Sequence, residues 1–565
     1  MSLITDIAFF ALLFFLLVFV HELGHFLMAK WMGIKVEKFS IGMGPSVLKF
    51  QKGETEYRLG ILPLGGYVKM AGDDPSKEYT GEEKRRGFLT QKPPAKLLVV
   101  FGGPVFNLLL PIFIFGFMMA IGIPSIAPTV GTVVSGMPAE KFGLLSGDRV
   151  ISYNGTKVTK WTELEKAIQT SPNQPMKLEI ERVNPKTLST EIIVKNVTPE
   201  LGDGKSKFGE DIKIGKLGIS PEFVVPTVFF EDSESILAKA GFKPMDRIRS
   251  LNGAPMISYE EFARVIDVLA PGKVIAEVER DKKPLQISFE IPQSSRKNES
   301  VSKRIGMESA LLVVGSAEEN NPASRAGIQS GDRLISIGGK NLKRWEDVST
   351  IIRPSEGKPL EVVWSRAGKV LKATMTPEKT TLNDPIMGKD NPNVREAAFR
   401  IGVSPLATME VEHTFEQSWS PLAWLKRGLT QTWDMTSMTM EAMGKLVTGQ
   451  LSLKLLGSPI MIYKVAGNSY RIAGGGQFGW ISFFSTLALL SISLGIINLF
   501  PIPVLDGGHA TFFLIEWIRG RPLSLRVMEI AMQVGLFLIV SLFALVIYND
   551  FYRYGWLDPI VNLFK

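Results

Sequence analysis

The run Ile7-Ala8-Phe9-Phe10-Ala11-Leu12-Leu13-Phe14-Phe15-Leu16-Leu17-Val18-Phe19-Val20 passes without a break into His21-Glu22-Leu23-Gly24-His25. Apolar residues on every face suit a helix surrounded by lipid or protein. His21 and His25 fall one turn apart on the same face. Two imidazoles at that spacing can grip one metal ion, and Glu22 falls beside it, where it can take a proton from an attacking water. At membrane depth each ionisable side chain costs roughly 2.5–3.5 kcal/mol on insertion scales, so such a cluster marks a functional site rather than a chance match.

A second polar cluster sits in an equally apolar context far along the chain. It reads Asn498-Leu499-Phe500-Pro501-Ile502-Pro503-Val504-Leu505-Asp506-Gly507-Gly508-His509. Asp506 is the expected third ligand, and two nitrogens with one oxygen favour zinc. His413, in Met409-Glu410-Val411-Glu412-His413-Thr414, is expected at the surface.

Four segments are long enough to cross a bilayer, about Leu3–Ala29, Ala95–Ile123, Trp480–Trp517 and Ile530–Tyr548. The first lacks the basic start of a signal peptide, carrying Asp6 instead. The third is too long for one span, and Pro501, Pro503, Gly507 and Gly508 interrupt it, which is tolerated only where the break lines a protein-enclosed or wet cavity. Basic residues gather between spans one and two (Lys30, Lys35, Lys38, Lys84, Arg85, Arg86, Lys92, Lys96) and between three and four (Arg519, Arg521, Arg526). Both connections are therefore expected on the cytoplasmic side, and the large insert between spans two and three on the outside.

With 565 residues, 45% of them apolar, the chain is expected to join soluble modules to a membrane part. The absence of cysteine excludes disulfides and thiolate ligands. The net charge of +8 comes with no basic stripe interleaved with aromatics, so nucleic acid is not the expected partner.

The insert repeats. Gly143, Asp148-Arg149 and Asn154-Gly155 recur as Gly241, Asp246-Arg247 and Asn252-Gly253, then as Gly327, Asp332-Arg333 and Gly338-Gly339. Each set is followed at one offset by an aromatic-acidic helix start: Trp161-Thr162-Glu163, Tyr259-Glu260-Glu261 and Trp345-Glu346-Asp347. The pattern resembles PDZ domains of bacterial envelope proteases, which capture peptides by strand addition beside a helix. The first and third repeats enter a helix through Ser135-Gly136-Met137-Pro138-Ala139 and Asn321-Pro322-Ala323. The second has Glu231-Asp232-Ser233-Glu234-Ser235 instead, and is expected to have lost or changed its ligand.

Taken together, the motifs, spans and repeats resemble the site-2 protease family of intramembrane zinc proteases, in its bacterial RseP type. The resemblance covers nearly the whole chain and includes Leu62-Pro63-Leu64-Gly65-Gly66-Tyr67-Val68-Lys69-Met70 and Gly103-Pro104-Val105-Phe106-Asn107. It implies zinc on His21, His25 and Asp506, Glu22 as general base, and substrate contacts from Gly65, Gly66, Tyr67, Asn107 and Asn498. Gly65, Gly66 and Tyr67 belong to a membrane-associated β element that holds substrate extended; the residues themselves read as two strands around turns over 53–67. The implied substrates are single-pass membrane proteins, of the anti-sigma-factor or remnant signal-peptide kind, screened by outer PDZ domains. Two departures stand out: three repeats where such proteins commonly carry two, and Ser458-Pro459-Ile460 where Gly-Pro-Ile is usual.

The expected fold is an α-helical polytopic membrane protein with three tandem α+β PDZ domains inserted between helices two and three. Its parts are 1–30, the first span; 31–94, a membrane-associated β region; 95–123, the second span; 126–215, 216–300 and 301–380, the repeats; 381–478, a linker with an amphipathic helix around 421–446; 479–518 and 528–549, the last spans; and 550–565, a tail. The amphipathic helix is expected on the outer membrane surface or against the repeats. A non-catalytic scaffold with a structural zinc is the alternative, and Glu22 argues against it, because a structural site needs no base.

Overall fold

The computed structural model describes residues 2–74, 81–208, 210–293, 300–343, 345–380, 398–453, 456–458, 460–465 and 476–553. They form two compact units, one from residues up to 123 together with those from 416 on, the other from the repeats between them.

The first unit is built on four helices long and apolar enough to cross a membrane. Helix α1 (Ser2–Trp31) and α2 (Pro93–Ile121) cross where Gly24 meets Gly102, so closely that a methyl on Gly24 would lie 2.2 Å from the Gly102 carbonyl oxygen. Helix α3 (Pro421–Val447) packs along α2, Gly428 against Ile112 and Gly116 against Trp424. The expected amphipathic helix thus lies beside a span, leaving Leu422, Leu425, Leu429 and Trp433 exposed on its other side. Helix α4 (Gly476–Asn498) joins the core formed by Leu13, Leu17, Phe115, Met118, Phe483 and Leu487. The third apolar segment then breaks over 499–505 and restarts as α5 (Asp506–Arg519), before α6 (Leu525–Arg553). Ser458, where the usual motif has glycine, is held by Asp550 of α6, which accepts from its backbone N–H and its hydroxyl.

Between α1 and α2 runs a hairpin, β1 (Val36–Lys52) and β2 (Thr55–Met70). Both strands bend, so residues 38–41 pair with 56–59 on one edge and with 66–69 on the other, while 48–52 pair with 55–59. The two expected strands are therefore four limbs of one sheet, ending at 66–70 on one edge. Glycines at positive φ, Gly42 (80°), Gly44 (84°) and Gly65 (77°), make these bends.

In the second unit the repeats share one plan. Each has a four-stranded antiparallel sheet, of order 156–157, 149–153, 176–183, 190–197 in the first, with the same order in the other two. Each carries one register shift at the same place, after Val150, Ile248 and Leu334. The repeated aspartate is buried and takes both arms of an arginine thirty-four positions on: Arg182–Asp148 at 2.6 Å, Arg280–Asp246 at 2.6 Å and Arg366–Asp332 at 2.7 Å. The same arginines donate to the carbonyls of Gly143, Gly241 and Gly327. Fork-to-fork pairing of this kind fixes geometry as well as contributing energy.

The repeat boundaries differ from those expected. The first repeat closes with Ile219–Ser220 pairing Thr132–Val133, and the third with Val403–Pro405 pairing Val314–Ala317, beyond the expected ends at 215 and 380. In both, the last strand pairs with the repeat's own first strand, after an insert that carries none of the repeated landmarks. The second repeat ends in a short helix, Val301–Ile305, whose Val301 and Ile305 are buried in that repeat's core.

Glu261 caps the helix Tyr259–Ile266 by accepting from the Ile257 N–H, and its carboxyl presses on Gly147 of the first repeat. Burial raises its pKa above the usual carboxylate range. An acid with a raised folded pKa supports folding at low pH and opposes it as pH rises, so Glu261→Gln, which keeps the capping acceptor, is expected to raise the unfolding temperature at pH 7 by a few degrees. The gain should vanish below about pH 4, where the unfolded carboxyl is itself protonated. Calorimetry of both proteins at the two pH values decides it.

Candidate active site

His21 and His25 project from the last turns of α1 toward α5, whose first residue is Asp506. His21 Nε2 lies 3.3 Å from His25 Nε2, and Asp506 Oδ2 lies 3.2 and 3.5 Å from the two nitrogens. A tetrahedral ion with bonds of about 2.0–2.2 Å sets its ligand atoms about 3.3–3.5 Å apart. His25 Nδ1 is 2.9 Å from the Val99 carbonyl, which can only accept, so that nitrogen carries the proton and Nε2 presents a lone pair. Asp506 Oδ2 is buried without a hydrogen-bond donor. Converging lone pairs with no proton between them are what a cation requires, and among the described residues this is the one such cluster.

Asn107 was expected to touch substrate; the structure places it fully buried behind His21. Its Nδ2 is 3.1 Å from His21 Nδ1, while its Oδ1 is buried with no donor. A half-turn of the amide sets that oxygen against the Nδ1–H that metal binding through Nε2 requires. Ser491 of α4 donates to the Asn107 carbonyl at 2.7 Å. Asn107 therefore orients His21, and its signal in the sequence is its position one turn after Gly103 on the face of α2 that meets α1.

Glycines make room for this packing. A methyl on Gly103 would fall 2.4 Å from His25 Nε2 and 2.7 Å from His21 Cε1. On Gly507 it would lie 2.3 Å from the Phe500 carbonyl oxygen, and on Gly508 2.2 Å from that of Ile502, so the start of α5 sits on the Pro501–Pro503 turn at backbone distance. That contact aims Asp506.

Glu22 lies within electrostatic reach of His21, His25 and Asp506, and its Cγ packs on Gly66. Gly66 thus brings the 66–70 edge of the sheet directly against Glu22, with Gly65 at the preceding bend and Tyr67, 41% exposed, following it. The far end of the sheet is pinned by Glu54, which receives Lys30 and Arg86 at 2.8 Å each. Arg86 and then Lys30 hold its carboxyl down at about 2, so this anchor, lost only as pH falls toward that value, does not titrate near neutrality. Asn498 ends α4, half-buried beside the turn that leads to Asp506. His413 is exposed.

Residues 9–542 match Peptidase family M50. The chain belongs to that family, the site-2 proteases. It is 27% identical to the regulator of sigma-E protease RseP of Escherichia coli over 98% of this chain and all of that protein, and equally to RseP of Salmonella typhimurium. A protein of Neisseria meningitidis, provisionally named a zinc metalloprotease, is 28% identical over 95% of this chain and 97% of its own length. Among solved structures, a PDZ domain from Listeria monocytogenes matches 17% of this chain and 90% of its own (16% identity, TM-score 0.14). A PDZ domain protein from Parabacteroides distasonis matches 52% and 95% (10%, TM-score 0.13). The M50 chain is thus a zinc metalloprotease, and the scaffold alternative falls.

Proposed function

We propose that this M50 protease cuts single-pass membrane proteins within the bilayer, that its three repeats are PDZ domains on the outer side, and that they exclude substrates whose external domain is still attached. The carrying observation is the Glu22–Gly66 contact, which puts the general base and a strand edge side by side at the end of a membrane helix. A helical peptide bond already has its carbonyl hydrogen-bonded and must unwind before attack; the 66–70 edge offers replacement backbone partners, and Asn498 a side-chain one. Zinc, if bound by His21, His25 and Asp506, would supply Lewis acidity to the scissile carbonyl and to the attacking water. Glu22 takes a proton from the attacking water as the new C–O bond forms, then gives it to the nitrogen as the C–N bond breaks. Asn107 and the Val99 carbonyl keep the two imidazoles aimed during this exchange.

The basic residues flanking the spans support an active site near the cytoplasmic face. The names of the sigma-E relatives support a membrane-anchored regulator of a sigma factor as substrate, with remnant signal peptides as a second class. The repeats differ in a way that bears on their role. In the first, a cavity of about 460 Å³ lies between the helix Trp161–Gln169 and the strand through Ile219, with Lys216 at its side. In the third, one of about 330 Å³ lies between Trp345–Ile352 and Val403, with Arg353 and Arg400. In the second, Val301, Ile305 and Met307 are buried in the repeat's core together with Phe262 and Ile266 of the corresponding helix. The first and third repeats can therefore accept an extended peptide, and the second serves as a spacer. Intact and externally trimmed forms of one single-span substrate, compared in the same vesicles, test the filter. The trimmed form should be cut faster, and equal rates would remove the size-filter reading while leaving the protease in place.

A further inference from the structure

Lys96 opens the face of α2 that continues through Val99, Gly103 and Asn107, the residues that touch the two imidazoles. Asp506 opens a face of α5 that continues through Ala510, Phe513 and Glu516. The two faces meet in one apolar cluster, Leu97 and Val100 against Ala510 and Phe513. At the far end of that seam, about 15 Å along α5 from Asp506, Lys96 Nζ donates to both carboxylate oxygens of Glu516 at 2.7 Å. The lysine side chain is only 3% exposed, and its ammonium lies 4.8 Å from the Phe513 ring centre.

Burying both charges at this seam is a poor way to gain stability, since apolar residues of similar size commonly do as well. What a buried ion pair adds is registry, because apolar helix faces can slide, whereas sliding here would part the two buried charges and leave each unpaired. The seam needs that constraint. A cavity of about 340 Å³, lined by Leu89, Phe512, Pro522, Leu523 and Met528, flanks the pair, so packing alone leaves the end of α5 room to tilt. At the other end, Gly507 and Gly508 rest on the proline turn, and a tilt about that contact moves the Asp506 carboxylate directly.

We propose that Lys96 and Glu516 form a positioning clamp that sets α5 on α2 and thereby holds Asp506 at the two imidazoles. The proposal rests on the reading that this triad binds zinc. Its test uses the full-length protein in lipid, with zinc affinity measured by chelator competition and site geometry by the visible spectrum of the cobalt-substituted form. The double variant K96M/E516M removes both charges while keeping the burial apolar. It is expected to bind zinc roughly 10–100-fold more weakly, as loss of outer-shell support does, with a changed cobalt spectrum. K96R, which can span the same two oxygens, should retain both wild-type properties. Should the double variant fail to fold, E516D keeps both charges and withdraws the carboxylate by one methylene, and an intermediate loss of affinity is expected. Wild-type affinity and spectrum in the double variant, or in E516D where that serves instead, overturn the clamp, even with a lowered unfolding temperature. A wild-type protein that binds no zinc would overturn the metal site itself, and is distinguishable by that control.

Discussion

Glu22→Gln is expected to keep its zinc and lose cleavage by roughly 10²–10⁴-fold. The substitution is nearly isosteric, so the packing of the Glu22 Cγ on Gly66 survives, and none of the three ligand atoms belongs to it. What disappears is the ability to accept a proton from water and return it to the departing nitrogen. Metal content and cleavage of a single-span substrate, measured on the same purified sample, separate the two contributions. Zinc retained with activity lost assigns the base. Substantial cleavage by the variant would mean that another group moves the proton, and that the Glu22–Gly66 contact only shapes the site.

The residues this prediction rests on were legible before any coordinates, for a physical reason. Ionisable side chains inside an apolar run are costly, so His21, Glu22, His25 and Asp506 stand out against a background that should contain none. The repeats were equally plain, since Asp148, Asp246 and Asp332 recur at identical spacing from the other repeated landmarks. Their partners Arg182, Arg280 and Arg366 were not, because an arginine closing a strand is ordinary until pairing shows what lies opposite. Lys96 and Glu516, 420 residues apart, read as two more basic and acidic residues near a membrane border. The repeat boundaries slipped because a closing strand that pairs with its own domain's start leaves no local mark. Asn107 was drawn toward substrate by resemblance alone, although its place one turn after Gly103, on the face of α2 that meets α1, already pointed to the imidazoles.

Gly103→Ala, a single added methyl, is expected to strip the metal from the site. The added carbon would lie 2.4 Å from His25 Nε2 and 2.7 Å from His21 Cε1, well inside van der Waals contact, and both rings would have to give. Neither can do so freely. His25 is tied through Nδ1 to the Val99 carbonyl one turn away on the same helix, and His21 is backed by fully buried Asn107. Moving α2 instead would open the crossing at Gly24 and Gly102, where the backbones already touch. The methyl is therefore accommodated by displacing the imidazoles from Asp506. A loss of outer-shell support alone costs about 10–100-fold in metal affinity, and direct displacement of two ligands should exceed that. Chelator competition on the purified variant measures it, with the unfolding temperature of the zinc-free protein as the control for folding. Wild-type zinc affinity in Gly103→Ala would show that the rings leave α2 when metal binds, and that the helix crossing does not set the ligand geometry.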